Sequence, residues 1–141
     1  MELVIQSDQS GYCISLPSSN TSDGVKIILS QCNGQENQLW YIDGLGLIHS
    51  SLNSDKCIQV EGSSFTGGQT IEIQACDDDN VTQQWEMVST GEIRSHSGNE
   101  NSTHYCMDGN DFGEPIVVWQ CDETPDQYWT WISMANSTSP Q

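Results

Sequence analysis

The chain has 141 residues, enough for one domain. Three Lys+Arg stand against 20 Asp+Glu, a formal net charge of −17. A field of that sign repels polyanions, and no apolar run approaches the ~18 residues of a spanning helix, so neither nucleic-acid binding nor membrane insertion is expected.

Residues 1–5 are too short and too acidic for a secretory signal, so Met1 is either a true start or follows a removed leader. The chain is nonetheless a folding sequence: 35% is hydrophobic, and five Trp, four Tyr and two Phe supply large surfaces to bury. A first unit, about 3–42, contains Ile5 with Ser7 two residues on, then Cys13, Cys32 and the string Gln38-Leu39-Trp40. A second unit, about 46–87, repeats the plan with Ile48, Ser50, Cys57, Cys76 and Gln83-Gln84-Trp85. Its alternating runs Cys57-Ile58-Gln59-Val60 and Thr70-Ile71-Glu72-Ile73-Gln74 read as β-strands, with Gly62 and Gly67-Gly68 marking turns. A third unit, about 91–134, has Ile93, Ser95, Cys106, Cys121 and Gln127-Tyr128-Trp129, with turn signals at Gly109-Asn110 and Gly113-Glu114-Pro115. The tail 136–141 reads as a flexible, linker-like end to a single domain spanning 1–135.

The repeat is the strongest feature. The Trp of the Gln-x-Trp string recurs after 45 and 44 residues, and the second Cys of each unit after 44 and 45. No window supports a helix of three turns. About four short strands per unit make about twelve, and three units fall below the four or more blades that close a propeller. The expected fold class is all-β: a β-trefoil, three pseudo-equivalent four-strand repeats around a threefold axis. Trp40, Trp85 and Trp129 occur in every unit and are expected in the core.

Six Cys allow 15 pairings. The separations within units, 19, 19 and 15 residues, make three local bridges the simplest framework: Cys13 with Cys32, Cys57 with Cys76, Cys106 with Cys121. No CxxC-like pair suits zinc. Four N-x-S/T sequons, at Asn20, Asn80, Asn101 and Asn136, join the cysteines in pointing to a secreted glycoprotein.

The threefold Gln-x-Trp, one Cys pair per unit and the Cys106-x-Asp108 string resemble the ricin-B-type β-trefoil lectins over nearly the whole chain. That resemblance implies binding of galactose or N-acetylgalactosamine glycans on glycoproteins or glycolipids, one shallow pocket per competent repeat. In the family's frame a carboxylate follows the first Cys by two, an aromatic precedes the second Cys by two, and Asn or Asp precedes the Gln. The third repeat matches with Asp108, Trp119, Asp126 and Gln127. The resemblance thus implies Asp108 as main hydroxyl acceptor, Trp119 as stacking platform, Asp126 as second acceptor, and Gln127 orienting Asp108 or touching a hydroxyl itself. Asp108 and Trp119 are both expected to be exposed. The first repeat has Ser15 and Ser30 at the key positions and the second has Gln59 and Gln74, so one pocket is expected. The third hairpin's shorter Cys-to-Cys interval compresses the loop at 109–115, the rim of that pocket.

Other classes fit less well. Acidic stretches at 77–80 and 108–111 suggest calcium, with Asp108, Asp111 and Asp126 as weak candidates, but a solvated acidic loop is the plainer reading and no cofactor is expected. An open, water-filled pocket would leave Asp108 and Asp126 near ordinary carboxylate values. His49, His96 and His104 fall at non-equivalent positions, so no enzyme is expected. The alternatives are a carbohydrate-targeting module of a larger secreted enzyme or toxin, and a trefoil used for protein–protein contacts. Oligomeric state stays open.

Overall fold

A computed structural model describes residues 2–62, 67–96, 104–109 and 111–134. Twelve short antiparallel strands follow in order: β1 (Leu3–Ser7), β2 (Cys13–Ser15), β3 (Ile28–Ser30), β4 (Trp40–Ile42), β5 (Ile48–Ser50), β6 (Lys56–Val60), β7 (Gln69–Ala75), β8 (Trp85–Met87), β9 (Ile93–Ser95), β10 (Tyr105–Asp108), β11 (Val117–Gln120) and β12 (Trp129–Ser133). Helical structure among the described residues is confined to single 3₁₀ turns, three of which run into the Gln of a Gln-x-Trp string. Four strands per unit agree with the sequence reading.

Six strands make the barrel. β1 pairs with β12 in register from Leu3↔Ser133 to Ser7↔Trp129, which joins the chain's two ends. Pairings β1·β4, β4·β5 and β8·β9 continue the wall. The repeat-to-repeat seams are held by Trp85 N–H to Gly46 C=O at 2.9 Å and Trp129 N–H to Gly91 C=O at 2.8 Å. The remaining strands form three hairpins, β2·β3, β6·β7 and β10·β11, that cap one end. Their tips meet on the pseudo-threefold axis in a closed ring. Ile27 N–H donates to Ile71 C=O, Ile71 to Ile116, and Ile116 back to Ile27, at 3.1, 3.0 and 2.9 Å. A ring of that kind leaves no backbone group unpaired at the buried centre, where each orphan would cost a desolvation penalty.

The core repeats by threes. Ile5, Ile48 and Ile93 sit beneath Trp40, Trp85 and Trp129, all at most 2% exposed. Each buried indole donates to an equivalent carbonyl: Trp40 to Ile14, Trp85 to Ile58 and Trp129 to Met107. This explains why Trp recurs where Leu would fill similar space: the Nε1–H ties each hairpin to the barrel while the rings fill its interior. One repeat cannot bury its apolar face alone, and three together can. Trp131 is half-buried against the same core.

The three bridges form as the separations suggest: Cys13–Cys32, Cys57–Cys76 and Cys106–Cys121. Asn20 is exposed, whereas Asn80 is half-buried and accepts from the N–H and hydroxyl of Thr82. The sequons at Asn101 and Asn136, and the expected tail at 136–141, lie outside the described residues.

Candidate functional site

The third hairpin carries a cavity of about 410 Å³. Asp108, the last residue of β10, and Val117 and Trp119 of β11 form one side. Asp122, Thr124 and Asp126 come from the segment leading to Gln127, and Gly68 from the hairpin of the second repeat closes the far wall. Three of the four residues expected from the sequence, Asp108, Trp119 and Asp126, therefore line one cavity.

Gln127 does not. It is fully buried, and its hydrogen-bonding capacity is used within the protein. Its Nε2 donates to Asp108 Oδ2 at 3.1 Å and to Gln120 C=O at 2.9 Å, and its Oε1 accepts from Asp122 N–H at 2.9 Å. The equivalent amides do the same without a carboxylate: Gln38 Nε2 donates to Ser15 Oγ at 2.8 Å, and Gln83 Nε2 to Gln59 Oε1 at 3.0 Å. Of the two roles anticipated, only orientation of Asp108 is open to Gln127.

Trp119 is 46% exposed, as expected for a platform. The backbone of Gly67 and Gly68 lies against its six-membered ring. A Cβ on Gly67 would stand 3.0 Å from Trp119 Cζ3, and Gly67 has φ +97°. Gly67→Ala is therefore expected to cost about 1–2 kcal/mol from the backbone alone and to displace the indole. A thermal melt and the Trp emission spectrum measure both effects; an unshifted melt and spectrum would refute the contact's importance.

Asp108 departs from expectation: it is only 7% exposed. Ser15 at the equivalent place is 1% exposed, so burial belongs to the position, and Gly109 follows it. It stands where the other repeats place the buried Leu16 and Val60, and a Cβ there would come within 3.0 Å of Trp129 and 3.1 Å of Leu29. Gly109 N–H donates to Asp126 C=O at 2.9 Å, as Leu16 N–H donates to Asn37 C=O at 2.9 Å. Burial pushes the Asp108 carboxyl up to about 7, against the opposing hydrogen bond from Gln127; the charge of Asp126, a carboxyl–carboxyl hydrogen bond with it, and Asp122 add to the rise. For Asp108, the expectation of an ordinary carboxylate value is thereby corrected. No Lys or Arg side chain pairs with the site. The three basic side chains are engaged elsewhere, Lys26 with Glu61 and Glu72, Lys56 with Asp23, and Arg94 with Glu92.

The raised acid next to a second carboxylate invites comparison with glycoside hydrolysis. That chemistry needs carboxyl groups about 5–9.5 Å apart, flanking the scissile bond. Asp126 lies close enough to Asp108 to raise its carboxyl, the arrangement of a pair that shares a proton rather than of two carboxyls set on either side of a bond. Calcium gains no support either. Asp111 is not in the cavity wall, and the candidates Asp108, Asp111 and Asp126 do not gather as a ligand set. Clusters of ligating types among the described residues are His49 with Cys57 and Cys76, and Glu92 with Cys106 and Cys121. Both rely on bridged sulfurs, which offer no thiolate.

Asp122 and Thr124 were not anticipated as site residues. Asp122 Oδ1 accepts from the Thr124 N–H and hydroxyl, and the Thr124 hydroxyl also lies 2.6 Å from Asp126 Oδ1. The equivalent Asn33 and Asp77 make the same turn in the other repeats, so this position signals a turn rather than a site.

The comparisons with known proteins agree with this architecture. The model of the ricin-type beta-trefoil lectin domain matches residues 2–129. Among curated proteins, the "Probable alpha-galactosidase A" of Aspergillus niger is 27% identical over 119 residues, 77% of this chain. The chain spans about a fifth of the length of the curated relatives it matches, 20% of each. Among solved structures, the C-half of an earthworm R-type lectin in complex with GalNAc is 26% identical, with 92% of this chain and 96% of that one covered and a TM-score of 0.75. The designed threefold-symmetric protein ThreeFoil, 20% identical, covers 94% and 98% at a TM-score of 0.79, which shows the fold alone. With its three equivalent repeats, its ring of hairpins and a family match over nearly its whole length, the chain belongs to the ricin-type β-trefoil lectin domain family.

Proposed function

We propose that the chain is a lectin for galactose or N-acetylgalactosamine glycans, with one pocket, in the third repeat. The observation that carries this reading is the meeting of Asp108, Asp126 and the exposed Trp119 in one cavity, while the other repeats have only Ser15 with Ser30 and Gln59 with Gln74 at the corresponding places. A flat indole covers the apolar face of a galactose ring without stripping its hydroxyls. Carboxylate oxygens opposite accept from vicinal hydroxyls, and such charge-assisted bonds are the strong ones. Gln127 serves as a positioning residue. The earthworm relative solved with GalNAc supports the sugar class.

A shallow wet pocket yields a monosaccharide Kd of about 1 mM. Calorimetry should find methyl galactoside binding in that range and methyl glucoside weaker. Trp119→Ala should weaken galactoside binding at least about tenfold and leave Tm within about 1–2 °C, because the ring is half in solvent. A Trp119→Ala protein that binds like the parent would misplace the pocket.

A second reading concerns setting. The match to a fifth of an α-galactosidase favours a carbohydrate-targeting module within a larger protein. In either setting the three disulfides support a secreted, extracellular location. Fusing the chain to a reporter hydrolase tests targeting directly: retention on galactose-bearing beads, at least about tenfold lower with Trp119→Ala, is the expected result.

A further inference from the structure

The segment 122–126 separates the first cavity from a second one of about 350 Å³, lined by Asp8, Gln9, Thr90, Glu123, Pro125 and Tyr128. Asp122, Thr124 and Asp126 face the first; the intervening Glu123 and Pro125 face the second. The second cavity lies on the seam between the third repeat and the first, where Asp8 N–H donates to Tyr128 C=O at 3.0 Å. The pseudo-threefold symmetry supplies an internal control. The same bond recurs at the other seams, from Ser51 to Leu39 and from His96 to Gln84. Those seams pair Leu with Ser and Gln with His. The third pairs an aromatic ring with a carboxylate.

The details are those of a receiving surface. Asp8 Oδ1 accepts from Thr130 Oγ1 at 2.5 Å, which fixes the carboxylate and leaves its other oxygen without a protein donor among the described residues. Glu123 holds φ +64°, in a backbone conformation that the equivalent Gly34 shares at +71°. Burial, with the charges of Glu92 and Glu123, raises the Tyr128 phenol above its ordinary value, so it stays a neutral ring with a hydroxyl donor. Gln9 and Thr90 add neutral donors and acceptors. The volume falls at the low end of small-molecule sites, roughly 300–1,000 Å³.

We propose that this seam is a second saccharide site, which takes one pyranose unit of a neutral glycan with Tyr128 as platform and Asp8 and Glu123 as hydroxyl acceptors. It shares no lining residue with the first pocket and stands or falls independently of it. Two sites on one chain make it bivalent toward a branched or clustered glycan surface, with avidity set by their spacing.

The test uses the ¹⁵N-labelled Asp108→Ala/Trp119→Ala protein, in which the first pocket is disabled. It is titrated separately with methyl galactoside, methyl glucoside and tetramethylammonium chloride. At least one glycoside should give saturable shifts at the amides of Asp8, Gln9, Thr90 and Tyr128. Adding Tyr128→Leu or Glu123→Gly should weaken that response at least tenfold. Both replacements are residues that the first repeat carries at those positions, and the remaining amide spectrum reports that the fold persists. No saturable shift, a response indifferent to both replacements, or saturation by tetramethylammonium alone would overturn the proposal. The parent protein, read at the Trp119 indole, reports the first pocket separately.

Discussion

Asp108→Asn is expected to abolish measurable galactoside binding at the third-repeat pocket and, at pH 8, to make the protein more stable than the parent. Both effects come from one carboxyl. Asp108 is 7% exposed and its native value is raised to about 7, against the ordinary aspartate value of 3.8. A raised native value means that the folded protein holds a proton the unfolded chain has already released. The stabilisation is complete below the unfolded value near 4 and is lost as pH rises through about 7. At pH 8 the parent therefore carries a buried charge beside Asp126 and Asp122. Asn reproduces the protonated form: its carbonyl can accept from Gln127 Nε2, and its amide can donate to Asp126. Screening at the pocket mouth reduces the gain to about 1–2 kcal/mol.

Binding moves the other way. Hydroxyl donors favour the ionised carboxylate, and a charge-assisted bond is worth about 1.5–3 kcal/mol, so its loss from a millimolar ligand ends detection. The parent's own affinity should fall as pH drops from 8 to 5.5, by about tenfold or more, as Asp108 takes up its proton. Denaturant unfolding at pH 5 and 8, with calorimetry across the same range, checks both arms. An Asn variant that binds within twofold of the parent, or gains no stability at pH 8, would refute the account.

The features legible in the sequence were those that the molecule states three times. Gln38, Gln83 and Gln127 hold the hairpins and Trp40, Trp85 and Trp129 fill the barrel, so their period exposed the architecture. Asp108 and Trp119 could be picked out because they break that period. Asp122 could not, because its turn is common to all three repeats. Gly67 and Gly68 reach Trp119 from another hairpin, a contact that no local spacing encodes. The burial of Asp108 belongs to its place at the end of the hairpin's first strand, shared by Ser15, and is a matter of packing rather than pattern. The Tyr128 seam was hidden for a similar reason: the middle residue of Gln-x-Trp looks free to vary until the neighbouring repeat's Asp8 is set beside it.

Removing Cys106–Cys121 and removing Cys13–Cys32 should cost similar stability, but only the first should weaken binding. The two bridges span 15 and 19 residues, and loop-closure entropy gives each about 3 kcal/mol. Cys106 pairs across the hairpin with Trp119, so the Cys106–Cys121 bridge sets the spacing between the strand that ends in Asp108 and the strand that presents the indole. The 13–32 bridge makes the same link between β2 and β3, where Ser15 and Ser30 occupy the corresponding places. At 15 °C, in conditions where both double Cys→Ala proteins remain folded, the 106/121 variant should lose at least about tenfold in galactoside affinity. The 13/32 variant should bind like the parent. Equal retention would show that packing alone positions the pocket. Loss in the 13/32 protein would mean that the first repeat contributes to the site, and the one-pocket reading would fail.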